Sequence, residues 1–262
     1  MTLFDDIAAI KEEPRRSLLL GLRTRVHAAY HAYEAAAPNV QTLIPPTPSA
    51  DEREALLHCY ESRTKPFAVV YQAIYESTYF CPYCEIVKVQ TLDHFLDKAT
   101  YPDLAALPLN LVPACADCNR LRPDGIVAKG ERSLMHPYFD SSPTKQVLRA
   151  RIERDGIRWR ADFRIEGGVA GKPVPDLYQR HYRLLGLIPR YRAWAEEDVI
   201  PTIRSTIASW GHGMDPADAI VMLQNQALLL GRELGANHPK VVIHQATAEH
   251  TDFVRLALEE GL

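Results

Sequence analysis

An α+β fold, predominantly α-helical, is what the sequence predicts, and three observations predict it. Apolar residues recur at helical spacing through residues 3–77 and again after residue 175. Two Cys-x-x-Cys pairs, Cys81/Cys84 and Cys115/Cys118, bracket a short polar stretch in the middle of the chain. Two alternating runs flank Asp155-Gly156, the pattern of a β-hairpin. The chain accordingly divides into a helical N-terminal region (1–77), a cysteine-bearing core (78–140), and a β-hairpin followed by a helical C-terminal region (141–262).

The 262 residues are 47% hydrophobic and 24% charged, enough apolar material for a sizeable core and too little charge for large-scale disorder. No apolar run approaches the ~20 residues of a membrane span. Asp5, Asp6 and Lys11-Glu12-Glu13 near the start lack the basic-then-apolar order of a signal peptide. A cytoplasmic protein is expected, where paired cysteines are more often metal ligands or redox centres than disulfides.

The net charge of −3 excludes a general polycation, but charge is unevenly placed. Residues 141–165 carry seven basic side chains against three acids, whereas residues 212–262 carry three against seven. A basic segment suits a protein that meets a polyanion on one side; a solvated arginine face is the plainer alternative.

In chain order, residues 3–36 read as helix interrupted at Pro14, with Leu18, Leu19, Leu22, Val26, Tyr30 and Tyr33 on one face. His27 and His31 belong to its polar face. Residues 37–50 hold four prolines and read as a crossing. Ser49 or Asp51 caps a helix reaching about Ser62, in which Cys59 is a small buried apolar residue. Pro66 opens a helix over 67–77, with Val69, Val70, Ala73 and Ile74 as its apolar stripe. A short strand over 86–92 then leads to Asp93-His94, Pro102 starts a brief helix, a strand or turn lies at 110–112, and a helix spans 117–121. Gly167, Gly168 and Gly171 make a loop. Helices are expected over 175–186, 189–209, 215–235 and 239–260, separated by Pro189, the 211–213 region and Pro239.

Each Cys-x-x-Cys turn aims two thiolates at one point, and two such knuckles complete the closed tetrahedral site of a structural zinc ion. The 30 residues between them exceed the usual ribbon spacing, so a separate element must sit inside. A thioredoxin-like pair comes singly and near a βαβ pattern, which is absent, and iron–sulfur clusters use other spacings.

Cys81-x-x-Cys84, Leu92-Asp93-His94, Asn110-Leu111-Val112-Pro113 and Cys115-x-x-Cys118-Asn119 together resemble the HNH endonuclease family, in the order that family uses. The resemblance covers residues 81–122. It implies a ββα-metal core of the four-cysteine zinc subgroup, in an HNN-type variant because Asn119 stands where many members have histidine. Asp97 stands where many relatives have proline, and Arg122 near where they have lysine.

The resemblance implies roles that the side chains fit chemically. His94 is the general base for a water attacking phosphorus. Asp93 and Asn119 offer hard oxygens to one divalent cation, Mg²⁺ or Mn²⁺. Asn110 ties down the loop and orients His94, unless it is a simple turn asparagine. Alternation along a strand would point Asp93 and His94 to opposite faces, which strand-end twist has to overcome. Arg120, Arg122 and Lys129 are placed to contact flanking phosphates, or else form a basic helix end.

The implied function is metal-dependent hydrolysis of phosphodiester bonds in nucleic acid, DNA ahead of RNA because most of the family cuts DNA. Helical flanks around a small core suggest a protein partner such as an ATPase, beside which some members with a similar layout act in antiviral defence; no membrane is expected. The alternative is a non-catalytic zinc-stabilised module that binds nucleic acid or protein. That alternative accounts for the cysteines and the basic hairpin but not for Asp93-His94 together with Asn119.

Overall fold

The computed structural model describes residues 2–62, 65–121, 132–166, 175–211 and 213–260. They are mostly helical with two small antiparallel sheets, the α+β class that the sequence predicts. The chain forms two compact units, Met1–Asp140 and Ser141–Leu262. No described helix is long and apolar enough to cross a membrane.

In the first unit, α1 (Leu3–Ala9) begins on a Thr2–Asp5 capping box, which satisfies N–H groups that a helix start leaves open. The Asp5 carboxylate also meets His27 Nε2 at 3.1 Å, a structural use for that histidine. Helix α2 (Arg15–Ala36) buries Leu19, Leu22, Val26, Tyr30 and Tyr33, the face its periodicity predicts. Helix α3 (Ala50–Glu61) starts at Ser49, whose hydroxyl pairs with the Glu52 backbone while Glu52 reaches back. Cys59 is buried on it, and burial pushes its thiol pKa up to about 11.

Helix α4 (Phe67–Tyr75) departs from the expected packing. Its buried residue is Phe67, while Val69 is 63% exposed and Ala73 is exposed too. Phe67 enters the core beside Tyr60 and Tyr71, while Val70 and Ile74 of the expected stripe are half-buried.

The first sheet pairs β1 (Thr91–His94) with β2 (Leu111–Ala114), antiparallel, with Asp93 opposite Val112 and His94 opposite Leu111. The expected strand thus starts later than residue 86; upstream, Lys88 joins Phe80 in a single bridge. A six-residue helix, α5 (Ala116–Leu121), follows β2.

The helical region 1–77 and the cysteine-bearing core 78–140 lie within one compact unit, Met1–Asp140. Long-range contacts explain why. Arg25 of α2 pairs with the buried carboxylate of Asp103 at 3.0 Å, and the Tyr33 hydroxyl donates to the Leu109 carbonyl. Two four-residue strands cannot enclose a core, so the helices wall it.

In the second unit, β3 (Leu148–Asp155) and β4 (Arg158–Ile165) form the hairpin, with Asp155 opposite Arg158. The loop is therefore Gly156-Ile157, one residue beyond the Asp-Gly pair expected. Gly156 has φ +61°, and glycine with positive φ at the first loop position is the type II′ arrangement. The glycine loop expected at 167–171 lies outside the described residues.

Helices α6 (Asp176–Leu184), α7 (Leu187–Trp194), α8 (Ile200–Ala208), α9 (Pro216–Leu234), α10 (Pro239–Glu249) and α11 (Thr251–Glu259) complete the unit. Gly186, left-handed at φ +56°, starts α7, so Pro189 sits in its first turn instead of separating helices. A π-turn over Ala195–Val199 precedes Pro201, whose ring would clash with a regular turn before it. His250 splits the last expected helix in two and caps the second half through Nδ1.

His244 on α10 is 5% exposed, and its Nδ1 has no hydrogen-bond partner. Burial first, and the Lys240 charge second, pull its pKa down to about 4. Below pH 6.5 the unfolded chain binds a proton that the folded unit refuses. Stability is thus present above that pH and falls as pH drops toward 4, by on the order of 3 kcal/mol. Denaturant unfolding between pH 7 and pH 4 should show this slope, and His244→Leu should flatten it.

Candidate metal centre and adjoining polar site

The first knuckle is a tight turn in which the Cys84 and Glu85 amides both donate to the Cys81 carbonyl, at 3.3 and 2.7 Å. Glu85 closes it at φ +62°, the one non-glycine residue with positive φ among those described. This conformation favours glycine, and a glutamate held there is locally strained. Glu85 is half-buried, yet enough protein crowds its carboxyl to push the pKa up to about 7, burial first and Cys84 next.

The second knuckle uses the end of β2 and the start of α5. Cys115 follows Ala114 directly, and Cys118 lies in the first turn of the helix. The Cys118 amide donates to Cys115 Sγ at 3.4 Å.

All four sulfurs are buried and lie within 4.8 Å of one another. Cys84 and Cys115 are 3.9 Å apart, far too long for a disulfide and close to the ~3.8 Å edge of a tetrahedron with Zn–S ~2.3 Å. The Cys115 thiol is held far below the usual thiol range, chiefly because Cys118, then Cys81 and Cys84, hydrogen-bond its thiolate. The same contact pushes Cys118 upward. Four soft donors at this spacing fit one metal ion and are compatible with structural zinc.

Asp93 and His94, adjacent on β1, are 6% and 9% exposed. Their described contacts lead to different neighbours, as strand alternation requires. Asp93 Oδ2 accepts from the Tyr83 hydroxyl at 3.0 Å, which joins it to the first knuckle. His94 packs edge-on against Tyr60 of α3, ring centres 4.4 Å apart. His94 Nε2 lies 2.9 Å from the Ala105 carbonyl. A carbonyl can only accept, so Nε2 carries the proton in the neutral ring and Nδ1 carries the lone pair.

Asn110 is fully buried and bridges three backbone groups. Its Oδ1 accepts from the Leu96 amide at 2.7 Å, and its Nδ2 donates to the Leu96 and Leu104 carbonyls at 3.0 and 3.3 Å. Leu104 precedes Ala105, so Asn110 fixes the segment whose carbonyl fixes His94. Asn119 is half-buried on α5, its amide bonded to the Cys115 carbonyl at 3.1 Å. Arg120 is exposed and paired with Asp117 at 3.1 Å, while Arg122 and Lys129 lie outside the described residues.

His136 is a structural residue. It is fully buried among Phe95, Phe139 and Tyr33. Its Nδ1 accepts from the Tyr138 amide at 3.2 Å, and its Nε2 meets the Tyr33 hydroxyl at 2.8 Å. Two residues missed by sequence reasoning stand beside the site. Tyr83 could have been found, since it lies inside the first Cys-x-x-Cys. Tyr60 could not, because nothing local links it to a histidine 34 residues away. A cavity of about 640 Å³ in the first unit, lined by Lys11, Arg15, His58 and Glu54 among others, includes none of the expected site residues.

No family model matches the chain, and no solved structure matches it. The chain is similar to Protein ea31 of Escherichia phage lambda, 37% identical over an alignment of 189 positions that covers 67% of this chain. It spans 63% of that relative's length.

Proposed function

We propose that the first unit is a metal-dependent HNH endonuclease, a ββα-metal core stapled by zinc, that hydrolyses phosphodiester bonds in nucleic acid, DNA ahead of RNA. The observation that carries this reading is His94 at the end of β1, its proton assigned to Nε2 by the Ala105 carbonyl, next in sequence to Asp93 and in the same unit as a four-cysteine cluster. A metal-binding module accounts for the four cysteines but not for Asp93 and His94 together with Asn119.

In this reading His94 Nδ1 takes the proton of the attacking water, for which a neutral imidazole is suited near pH 7. Asp93 and Asn119 offer oxygen ligands to Mg²⁺ or Mn²⁺, and Tyr83 orients the Asp93 carboxylate. When bound, such a cation supplies Lewis acidity to a phosphate oxygen and to the leaving 3′ oxygen. Asn110 holds the loop, and Arg120, with Arg122 and Lys129, meets flanking phosphates.

A second reading, a zinc-stabilised binding module without catalysis, draws on the deep burial of Asp93 and His94. One experiment separates the two. Zinc-replete protein is incubated with plasmid, linear and single-stranded DNA and structured RNA, with and without Mg²⁺ or Mn²⁺, and cut ends are sequenced. Cation-dependent cutting is expected; folded, zinc-loaded protein that cuts none of these would sink the nuclease reading.

A further inference from the structure

We infer that the outer face of the β3–β4 hairpin is a docking surface for the phosphate backbone of double-stranded nucleic acid. The hairpin has two unlike faces. Leu148, Ile152, Ala161 and Phe163 are buried on one, while Arg149, Arg151, Arg158, Arg160 and Arg164 are exposed on the other. Three acids, Glu153, Asp155 and Asp162, share the exposed face.

Toward the turn, opposite charges face each other across the strands, Glu153 with Arg160 and Asp155 with Arg158. That is the arrangement a solvated sheet face adopts for its own stability. At the other end the rule is broken. Arg149 stands directly opposite Arg164, and like charges so placed destabilise a sheet. Asp162 faces Arg151, but it already accepts from Arg164 at 2.6 Å and from Arg192 of α7 at 3.1 Å. Asp162 is thus shared by Arg164 and Arg192, and Glu153 and Glu166 are the other acids that act on Arg164.

Arg149 donates to the neutral Gln146 side chain at 2.8 Å, and Arg151 has no ion pair among the described residues. Hydrogen-bonding capacity for an anion is left over at this end. Every basic residue on the face is arginine, whose planar fork binds phosphate oxygens in pairs. A two-stranded antiparallel ribbon also has a width that a duplex groove admits. A local arrangement that costs stability and exposes a matched cluster of anion donors is what a binding surface looks like.

The test reads binding, not cutting, so it stands apart from the nuclease reading. Full-length protein without added Mg²⁺ or Mn²⁺ is titrated into a fluorescein-labelled DNA duplex across a salt series, with anisotropy as the signal. Arg149→Gln combined with Arg151→Gln should weaken binding at least ~10-fold and lower the salt slope by about two, as loss of two phosphate contacts requires. Arg255→Gln on α11 should leave both unchanged. An unaltered affinity and slope in the double variant would overturn the surface, as would an equal loss in Arg255→Gln. Equal displacement of the duplex by polyglutamate would overturn the phosphate assignment. If the double variant loses binding while wild type cuts nothing, the surface stands and the nuclease reading falls.

Discussion

Replacing His94 with glutamine should cost about 10²- to 10⁴-fold in cation-dependent cleavage while leaving the fold in place. Glutamine is the informative choice because its amide can still donate to the Ala105 carbonyl, as His94 Nε2 does at 2.9 Å. It cannot accept a proton near neutral pH. Alanine would strip the buried carbonyl of its donor and empty the space beside Tyr60, a loss of roughly 1–3 kcal/mol from the unmade hydrogen bond alone. His94→Ala would thus confound inactivation with destabilisation. Single-turnover cleavage rates, zinc content and the thermal transition should be measured together. Wild-type rates in a folded, zinc-loaded His94→Gln protein would remove His94 from the role of base.

Cys118→Ser should have the larger structural effect. It takes away one of four buried sulfurs that lie within 4.8 Å of one another. Apparent zinc affinities of small structural sites correspond to ~10–16 kcal/mol, and a domain's net stability is only ~5–15 kcal/mol. The only strands in the segment between the knuckles, among the described residues, are two of four residues each. The expected outcome is loss of zinc by elemental analysis, early proteolysis within residues 81–121, and a first unit that melts far below the wild type. The second unit, compact in its own right, should keep its transition. A Cys118→Ser protein that retains both zinc and the wild-type melt would show that the cluster is not what holds this core.

The contrast between the two variants would separate a metal that holds the core from a residue that reacts. How much of this was legible in the sequence depends on the range of the signal. The four cysteines, the Ser49–Glu52 capping box and the alternating hairpin runs are local patterns, and each formed as its spacing requires. The hairpin loop moved by one residue because Gly156 supplies positive φ where the type II′ turn needs it, a preference Asp155 cannot outweigh. The apolar stripe of α4 is only half used, with Val70 and Ile74 half-buried and Val69 and Ala73 exposed, since helical spacing does not say how deep each position will sit. Neither the Tyr60–His94 contact nor the Arg25–Asp103 pair has any local signature. Both depend on where distant helices close.

The hydroxyl of Tyr33 meets Nε2 of His136 across 103 residues of chain. On the ribosome, α2 emerges long before the residue that seals its aromatic side, and the two knuckles emerge in between. A nascent chain halted just after α5 would have all four thiolates but no His136 or Phe139 to close the box around Tyr33. Completion of the first unit is therefore tied to translation reaching Asp140.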